Sequence, residues 1–184
     1  MTKHIYLVHG YQSSPHANWF DWLKTQLKFK NQQQLNVLHL PTPNHPNPGA
    51  WDHACHTTIT ANSDLILIGH SLGCMQILRF LQQHPDLKQV NVILVAGFSE
   101  HLTTLPELDA FTNYQLNFQQ LKQQISHLTV FAAKNDAIVN FEYTAKLAHN
   151  LNGSFVLLPT GHHFMGSEGY VKLPVVYNEL LKIL

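Results

Sequence analysis

The stretch Asp64-Leu65-Ile66-Leu67-Ile68-Gly69-His70-Ser71-Leu72-Gly73-Cys74-Met75-Gln76-Ile77-Leu78 decides the reading of this chain. Asp64 to Ile68 is dominated by a four-residue apolar run without polar alternation, as in a strand of a parallel sheet covered on both faces. Leu72 to Leu81 is apolar nearly all round and predicts a buried central helix, which stops where His84 precedes Pro85. Between them stands Gly69-His70-Ser71-Leu72-Gly73, the G-x-S-x-G pattern in the strand-turn-helix setting of a nucleophile elbow. A bare pentapeptide of this form arises by chance in roughly one chain in twenty of this length, so its placement carries the weight. The tight turn lifts Ser71 above the sheet in a strained backbone conformation, and Gly69 and Gly73 let strand and helix approach without a clash of β-carbons. At the helix N-terminus the main-chain N–H of Leu72 and the positive end of the dipole can meet an oxyanion that forms beside the serine.

Outward from this stretch, short apolar runs alternate with amphipathic ones. The runs Ile5 to Val8, Leu35 to Leu40, Val90 to Ala96, His127 to Ala133 and Phe155 to Leu158 read as further strands. Helices are expected after Ser14-Pro15, with Trp19, Phe20, Leu23 and Leu27 at helical spacing, and over the stripe Phe141, Ala145, Ala148 and Leu151, closed by Gly153. A last helix carries Leu173, Val176, Tyr177, Leu180 and Leu181, with Pro174 in its first turn. Strand and helix alternate throughout, which predicts one α/β domain over residues 1–184, a mostly parallel sheet of about six strands with helices on both faces. The segment Pro41 to Gly49 has four prolines in nine residues and reads as a stiff rim loop. In such sheets ligands bind beyond the carboxyl ends of the strands, so chemistry is sought in the loops after each run.

A serine hydroxyl needs a general base, and the base needs an orienting carboxylate. With this elbow the partners follow in the order acid, then histidine. The strand His127 to Ala133 ends in Lys134-Asn135-Asp136, making Asp136 the candidate acid, with Glu100 after the preceding strand as the competing position. The last strand is followed by Pro159-Thr160-Gly161-His162-His163-Phe164, and spacing leaves His162 and His163 both open as the base. A second oxyanion donor is expected from the loop after the first strand, the N–H of Tyr11 or alternatively that of Gln12, with His9 as a structural hydrogen bonder.

Composition removes other classes. The 184 residues include 11 Lys and Arg, 11 Asp and Glu and 14 His, so formal charge is zero and no block of like charges offers a phosphate-binding face. Only 12% of residues are charged, against about 25% in a typical domain, so uncharged polar groups and histidines must wet the surface. Two cysteines are too few for a disulfide framework and the N-terminus shows no secretory signal, which leads to the expectation of a cytoplasmic setting. The longest apolar runs fall far short of the roughly 20 residues that span a bilayer, so no membrane insertion is expected.

Taken together, Val8-His9-Gly10-Tyr11, the Trp19-Phe20 and Trp22-Leu23 pairs, Gly69-His70-Ser71-Leu72-Gly73-Cys74, Ile93 to Phe98, Asn135-Asp136-Ala137-Ile138-Val139, and His163-Phe164 with Glu168-Gly169-Tyr170 resemble the YdeN-like, retinoblastoma-binding-protein-type small serine hydrolases. The resemblance spans nearly the whole chain. It implies a compact α/β-hydrolase fold and a Ser-His-Asp triad of Ser71, His163 and Asp136, while the short segment from Gly97 to Asn113 leads to the expectation of little or no cap. Matched on the His-Phe pair, the base is His163, while His162 stands where a small residue is commoner. The expected chemistry is hydrolysis of a small-molecule acyl substrate, an ester or else an amide or thioester, without metal or organic cofactor. From a different class, the alternative is a binding module that keeps the hydrolase shell for protein contacts.

Other signals lead elsewhere. His53, Cys55 and His56 carry metal-ligating groups, but no further ligand is evident nearby. Cys74 reads as a small core residue, and Trp19 and Trp22 read as core rather than as the border of a groove. Phe98, Leu102 and Leu105, after the fourth strand where related folds insert a cap, are expected to form one apolar wall of the substrate pocket.

Overall fold

Parallel pairing of apolar runs builds the molecule, and the computed structural model describes residues 3–61 and 64–184. Six strands, β1 (His4–Val8), β2 (Leu35–Val37), β3 (Leu65–His70), β4 (Val90–Val95), β5 (Ile125–Ala133) and β6 (Ser154–Leu158), form one sheet in the order β2-β1-β3-β4-β5-β6. All neighbouring pairs are parallel, so each connection crosses over the sheet through a helical or loop segment. The chain runs from β1 outward to β2 and then returns across β1 to place β3. That reversal creates a topological switch point between the carboxyl ends of β1 and β3, where this architecture opens a crevice.

Alternation along the strands sorts the core into two layers. Tyr6, Val8, Leu65, Leu67, Val92, Leu94 and Val130 face one side, against α2 (Pro48–Thr58), α3 (Leu72–Gln83), α5 (Phe118–Gln124) and α6 (Phe141–Leu151), with α4 (Asp109–Thr112) beside them. Ile5, Leu7, Ile66, Ile68, Ile93, Val95 and Phe131 face the other, against α1 (Phe20–Asn31) and α7 (Pro174–Leu180). Ten consecutive residues of α3, Leu72 to Leu81, are buried, as its all-round apolar sequence requires. The donors of its two polar members, Gln76 and Arg79, are taken up by Asp52 of α2, whose carboxylate accepts from Gln76 Nε2 at 2.9 Å and from Arg79 Nη2 at 2.5 Å. Burial alone would raise the pKa of Asp52, but bonds from Arg79, Gln76 and Gln83 outweigh it and hold the carboxyl below its ordinary value.

Several boundaries depart from the sequence reading for local reasons. β3 continues through Gly69 and His70 because these pair with Leu94 and Val95 of β4. β2 stops at Val37, short of the expected Leu40. α1 starts at Phe20, not after Pro15, because Asn18 is left-handed (φ 56°) and its side chain accepts the N–H of Gly166 at 2.8 Å. α6 is closed by Asn152 in the left-handed region (φ 57°), one residue before the expected glycine. Between β4 and β5 there is only a one-turn 3-10 segment (Pro106–Leu108) with the short α4 and α5, so the cap is minimal.

Candidate active site

Ser71 occupies the corner between β3 and α3 at φ 55°, ψ −125°, a conformation in which a non-glycine residue stores about 1–3 kcal/mol of strain. The surroundings enforce it. Its N–H donates to the Val95 carbonyl of β4 at 2.9 Å, and its carbonyl accepts from Cys74 at 2.9 Å. The flanking glycines are sterically required: a β-carbon at Gly69 would stand 2.8 Å from Cys74 Cα, and one at Gly73 would collide with the Val8 carbonyl of β1. The result is a hydroxyl presented at the switch point, only 6% exposed.

Two residues distant in the chain meet it there. His163, on the loop after β6, lies with Nε2 2.9 Å from Ser71 Oγ and Nδ1 2.8 Å from Asp136 Oδ2. Because the carboxylate accepts from Nδ1–H, the tautomer leaves the Nε2 lone pair for the serine hydroxyl. Asp136 is oriented in turn, its Oδ1 accepting the N–H groups of Ile138 and Val139 at 2.8 and 2.9 Å. Both side chains of the His–Asp pair are nearly sealed from solvent, at 4% and 2% exposure, so water competes little for these bonds.

The structure separates the alternatives that spacing left open. His162 is exposed and left-handed (φ 46°), and His163 alone of the two reaches the serine. Glu100 pairs with Lys146 at 2.6 Å on the surface, away from the imidazole. The N–H of Gln12 is committed to the Pro43 carbonyl at 2.9 Å, which leaves Tyr11 as the candidate donor from the β1 loop. The N–H of Leu72 lies in the first turn of α3, where main-chain donors have no intrahelical acceptor. His9 bonds the Gly10 carbonyl at 3.0 Å and packs edge-on against Trp51, and burial lowers its pKa.

An open cleft of about 470 Å³ runs over Ser71. Tyr11, Leu105 and Ile138 give it apolar wall, and Ser13, Asn18 and Ser167 give it neutral polar wall. The expected pocket wall needs correction here: Leu105 lines the cleft, but Phe98 and Leu102 are 0% and 2% exposed and belong to the core between sheet and helices. A slightly larger depression, about 510 Å³ around Pro85 to Gln89, lies at the opposite end of the sheet from the elbow. Strand carboxyl ends, where α/β sheets bind ligands, are not near it.

Other singled-out residues are core or surface. Cys55 and Cys74 are buried, and burial pushes both thiols up to about 12. Cys55 therefore points inward, away from exposed His53 and His56, and His56 instead bonds His84 at 3.0 Å. Trp19 is fully buried, and Trp22 packs edge-on against Tyr177. Among the described residues no group of three or more His, Cys, Asp or Glu is arranged to hold a metal ion, and no helix is long and apolar enough to cross a membrane.

Three residues that sequence reasoning did not assign to the site grip the histidine loop: His70, Asn135 and Glu168. His70 and Asn135 stand next to Ser71 and Asp136 in the sequence. That adjacency, and the presence of all three in the motifs that carry the resemblance, marked them without saying what they hold, since which loop a side chain reaches is a tertiary fact.

The family model for serine hydrolases matches residues 5–182. The chain belongs to the serine hydrolase family. It is 37% identical to the YdeN protein of Bacillus subtilis (strain 168) over 182 residues, covering 98% of this chain and 95% of that one. The serine hydrolase RBBP9 of Rattus norvegicus is 20% identical over 163 residues, covering 88% of this chain and 86% of its own length. The crystal structure of the B. subtilis ydeN gene product superposes with a TM-score of 0.91 at 34% identity, covering 99% of this chain and 98% of that one. The family and its α/β-hydrolase architecture support a hydrolase activity for this chain.

Proposed function

We propose that this serine hydrolase cleaves carboxylic esters of small, uncharged acyl substrates through an acyl-Ser71 intermediate, with amides and thioesters as chemical relatives of the same reaction. One observation carries the reading: His163 bridges Ser71 Oγ and Asp136 Oδ2 at 2.9 and 2.8 Å. As Oγ attacks the carbonyl carbon, Nε2 of His163 takes the hydroxyl proton and the carbonyl π pair moves onto oxygen. Main-chain N–H groups of Leu72 and Tyr11 receive that oxyanion. The intermediate collapses, the imidazolium returns the proton to the leaving alcohol, and Asp136 stabilises the cation between the two transfers. Water activated by the same Nε2 then releases the acid and restores Ser71. The cleft supports a neutral substrate, because its walls beside the site are formed by Tyr11, Leu105, Ile138, Ser13, Asn18 and Ser167.

Fluorophosphonate labelling and turnover of nitrophenyl esters test this directly. Ser71→Ala is expected to abolish labelling and to lower turnover by a factor on the order of 10⁶, with an unchanged circular dichroism spectrum. Labelling that persists in the variant overturns the assignment of the nucleophile. A wild-type protein that neither labels nor turns over esters is the outcome expected of a binding module on this scaffold.

A further inference from the structure

The peptide unit that carries His163 is held from both sides. Its N–H donates to Glu168 Oε2 at 3.0 Å, and its carbonyl accepts the Nε2–H of His70 at 2.8 Å. His162 and Phe164, on either side, both sit in the left-handed region at φ 46° and 56°. Side chains disfavour that region, so the loop keeps its shape only where its surroundings impose it. Asn135 adds a third hold, its Oδ1 accepting the N–H groups of Gly161 and His162 at 2.9 and 3.0 Å. Two of the three gripping side chains thus directly precede, in sequence, the groups that His163 must bridge: His70 before Ser71, and Asn135 before Asp136.

His70 is itself fixed. It is 2% exposed and meets Trp19 and Phe20 edge-on at centroid distances of 6.1 and 5.9 Å. Burial, with the neighbouring His163 adding to it, drives its pKa down to about 3, so the ring is neutral and remains a donor through Nε2–H. Its ring centroid lies 5.2 Å from that of His163, so a neutral His70 adds no like charge when His163 takes up a proton.

We propose that His70 is a positioning residue for the reaction at Ser71: by holding the main-chain carbonyl of His163 it sets the distance between the imidazole and the serine hydroxyl. This rests on the acyl-serine reading above. A base displaced by about 1 Å loses on the order of a hundredfold in rate, which is the margin such a hold protects.

Two isologous variants separate positioning from packing. In His70→Gln the amide nitrogen stands as many bonds from Cα as Nε2 does, and can still donate to the carbonyl. In His70→Asn it stands one bond short. With nitrophenyl butyrate, His70→Gln is expected to retain kcat within about threefold, while His70→Asn loses about tenfold or more, with KM changed less than about twofold in both. The downfield proton resonance of His163 Nδ1–H, followed by NMR in the resting proteins, is expected to survive in His70→Gln and to vanish by solvent exchange in His70→Asn. Retention of both kcat and the resonance in His70→Asn overturns the proposal, as does equal loss in both variants. Turnover that survives Ser71→Ala sinks the acyl-serine reading instead, and the resonance still decides whether His70 holds the imidazole.

Discussion

Asp136 and Glu100 are both acids on loops that follow strands, and only their surroundings tell them apart. Asp136 gives one oxygen to two main-chain N–H groups and the other to His163, so its direction is set before any substrate binds. Glu100 is on the surface with Lys146, an arrangement worth little in water. Asp136→Asn would present an amide to Nδ1 and favour the wrong imidazole tautomer, and a loss of about 10⁴-fold in kcat is expected. Glu100→Gln should leave kcat within about twofold, because an exposed ion pair contributes little. Parallel ester assays on the two variants check both statements, and the reverse ranking would move the acid to Glu100.

At the level of elements, the segment between β4 and β5 sets how the site is covered. Phe98 leaves the end of β4 and turns into the core beside Leu102, whereas Leu105 reaches the cleft just before the 3-10 turn. A side-chain hydrogen bond ties that stretch to the neighbouring loop, since Thr104 Oγ1 donates to the Ile138 carbonyl at 3.2 Å. Phe98→Ala should therefore cost about 3–5 kcal/mol of stability through the cavity it opens, measured by urea titration, without changing acyl-chain preference. Leu105→Ala is expected to act the other way. It should shift the preferred chain length in a series of nitrophenyl esters while altering stability by less than about 1 kcal/mol, as its side chain is only partly buried.

Across the whole molecule, buried neutral histidines make the fold sensitive to mild acid. His70 titrates at about 3 in the folded protein against an ordinary value of 6.5, and His9 is shifted downward as well. Below pH 6.5 the unfolded chain binds protons that the folded one refuses, so stability is fully present above that value and falls as pH descends toward 3. For His70 the slope reaches about 1.4 kcal/mol per pH unit between its two values, and His9 adds in the same direction. Urea midpoints between about pH 7 and pH 4.5 should therefore decline, in a window above the carboxylate range of Asp52 and Glu179, which are shifted down and matter only at lower pH. His70→Gln should flatten the decline, and an unchanged pH slope in that variant would show that His70 does not cause it.

Local chemistry made much of this protein legible in its sequence. Apolar runs without alternation specify strands that must be covered on both sides, and the six runs, their order and the elbow at Ser71 all survive in the structure with shifts of a few residues at their ends. The candidate serine, acid and histidine could be sought in the sequence because each follows a strand, and strand carboxyl ends collect on one edge of a parallel sheet. Spacing alone left the choice within a pair open, and only the family resemblance pointed to His163. His162 and His163 have the same chemistry, and only the left-handed turn at His162 and the holds from His70, Glu168 and Asn135 decide which ring faces Ser71. The same is true of Phe98 and Leu105: both are apolar and both follow β4, but burial is a property of the packed molecule. Sequence patterns therefore determined which elements form and which residues end them, because hydrophobic periodicity and turn sterics act locally. The direction of each side chain was settled only when distant loops closed on one another, because contacts between residues as far apart as Ser71 and His163 exist only in the folded chain.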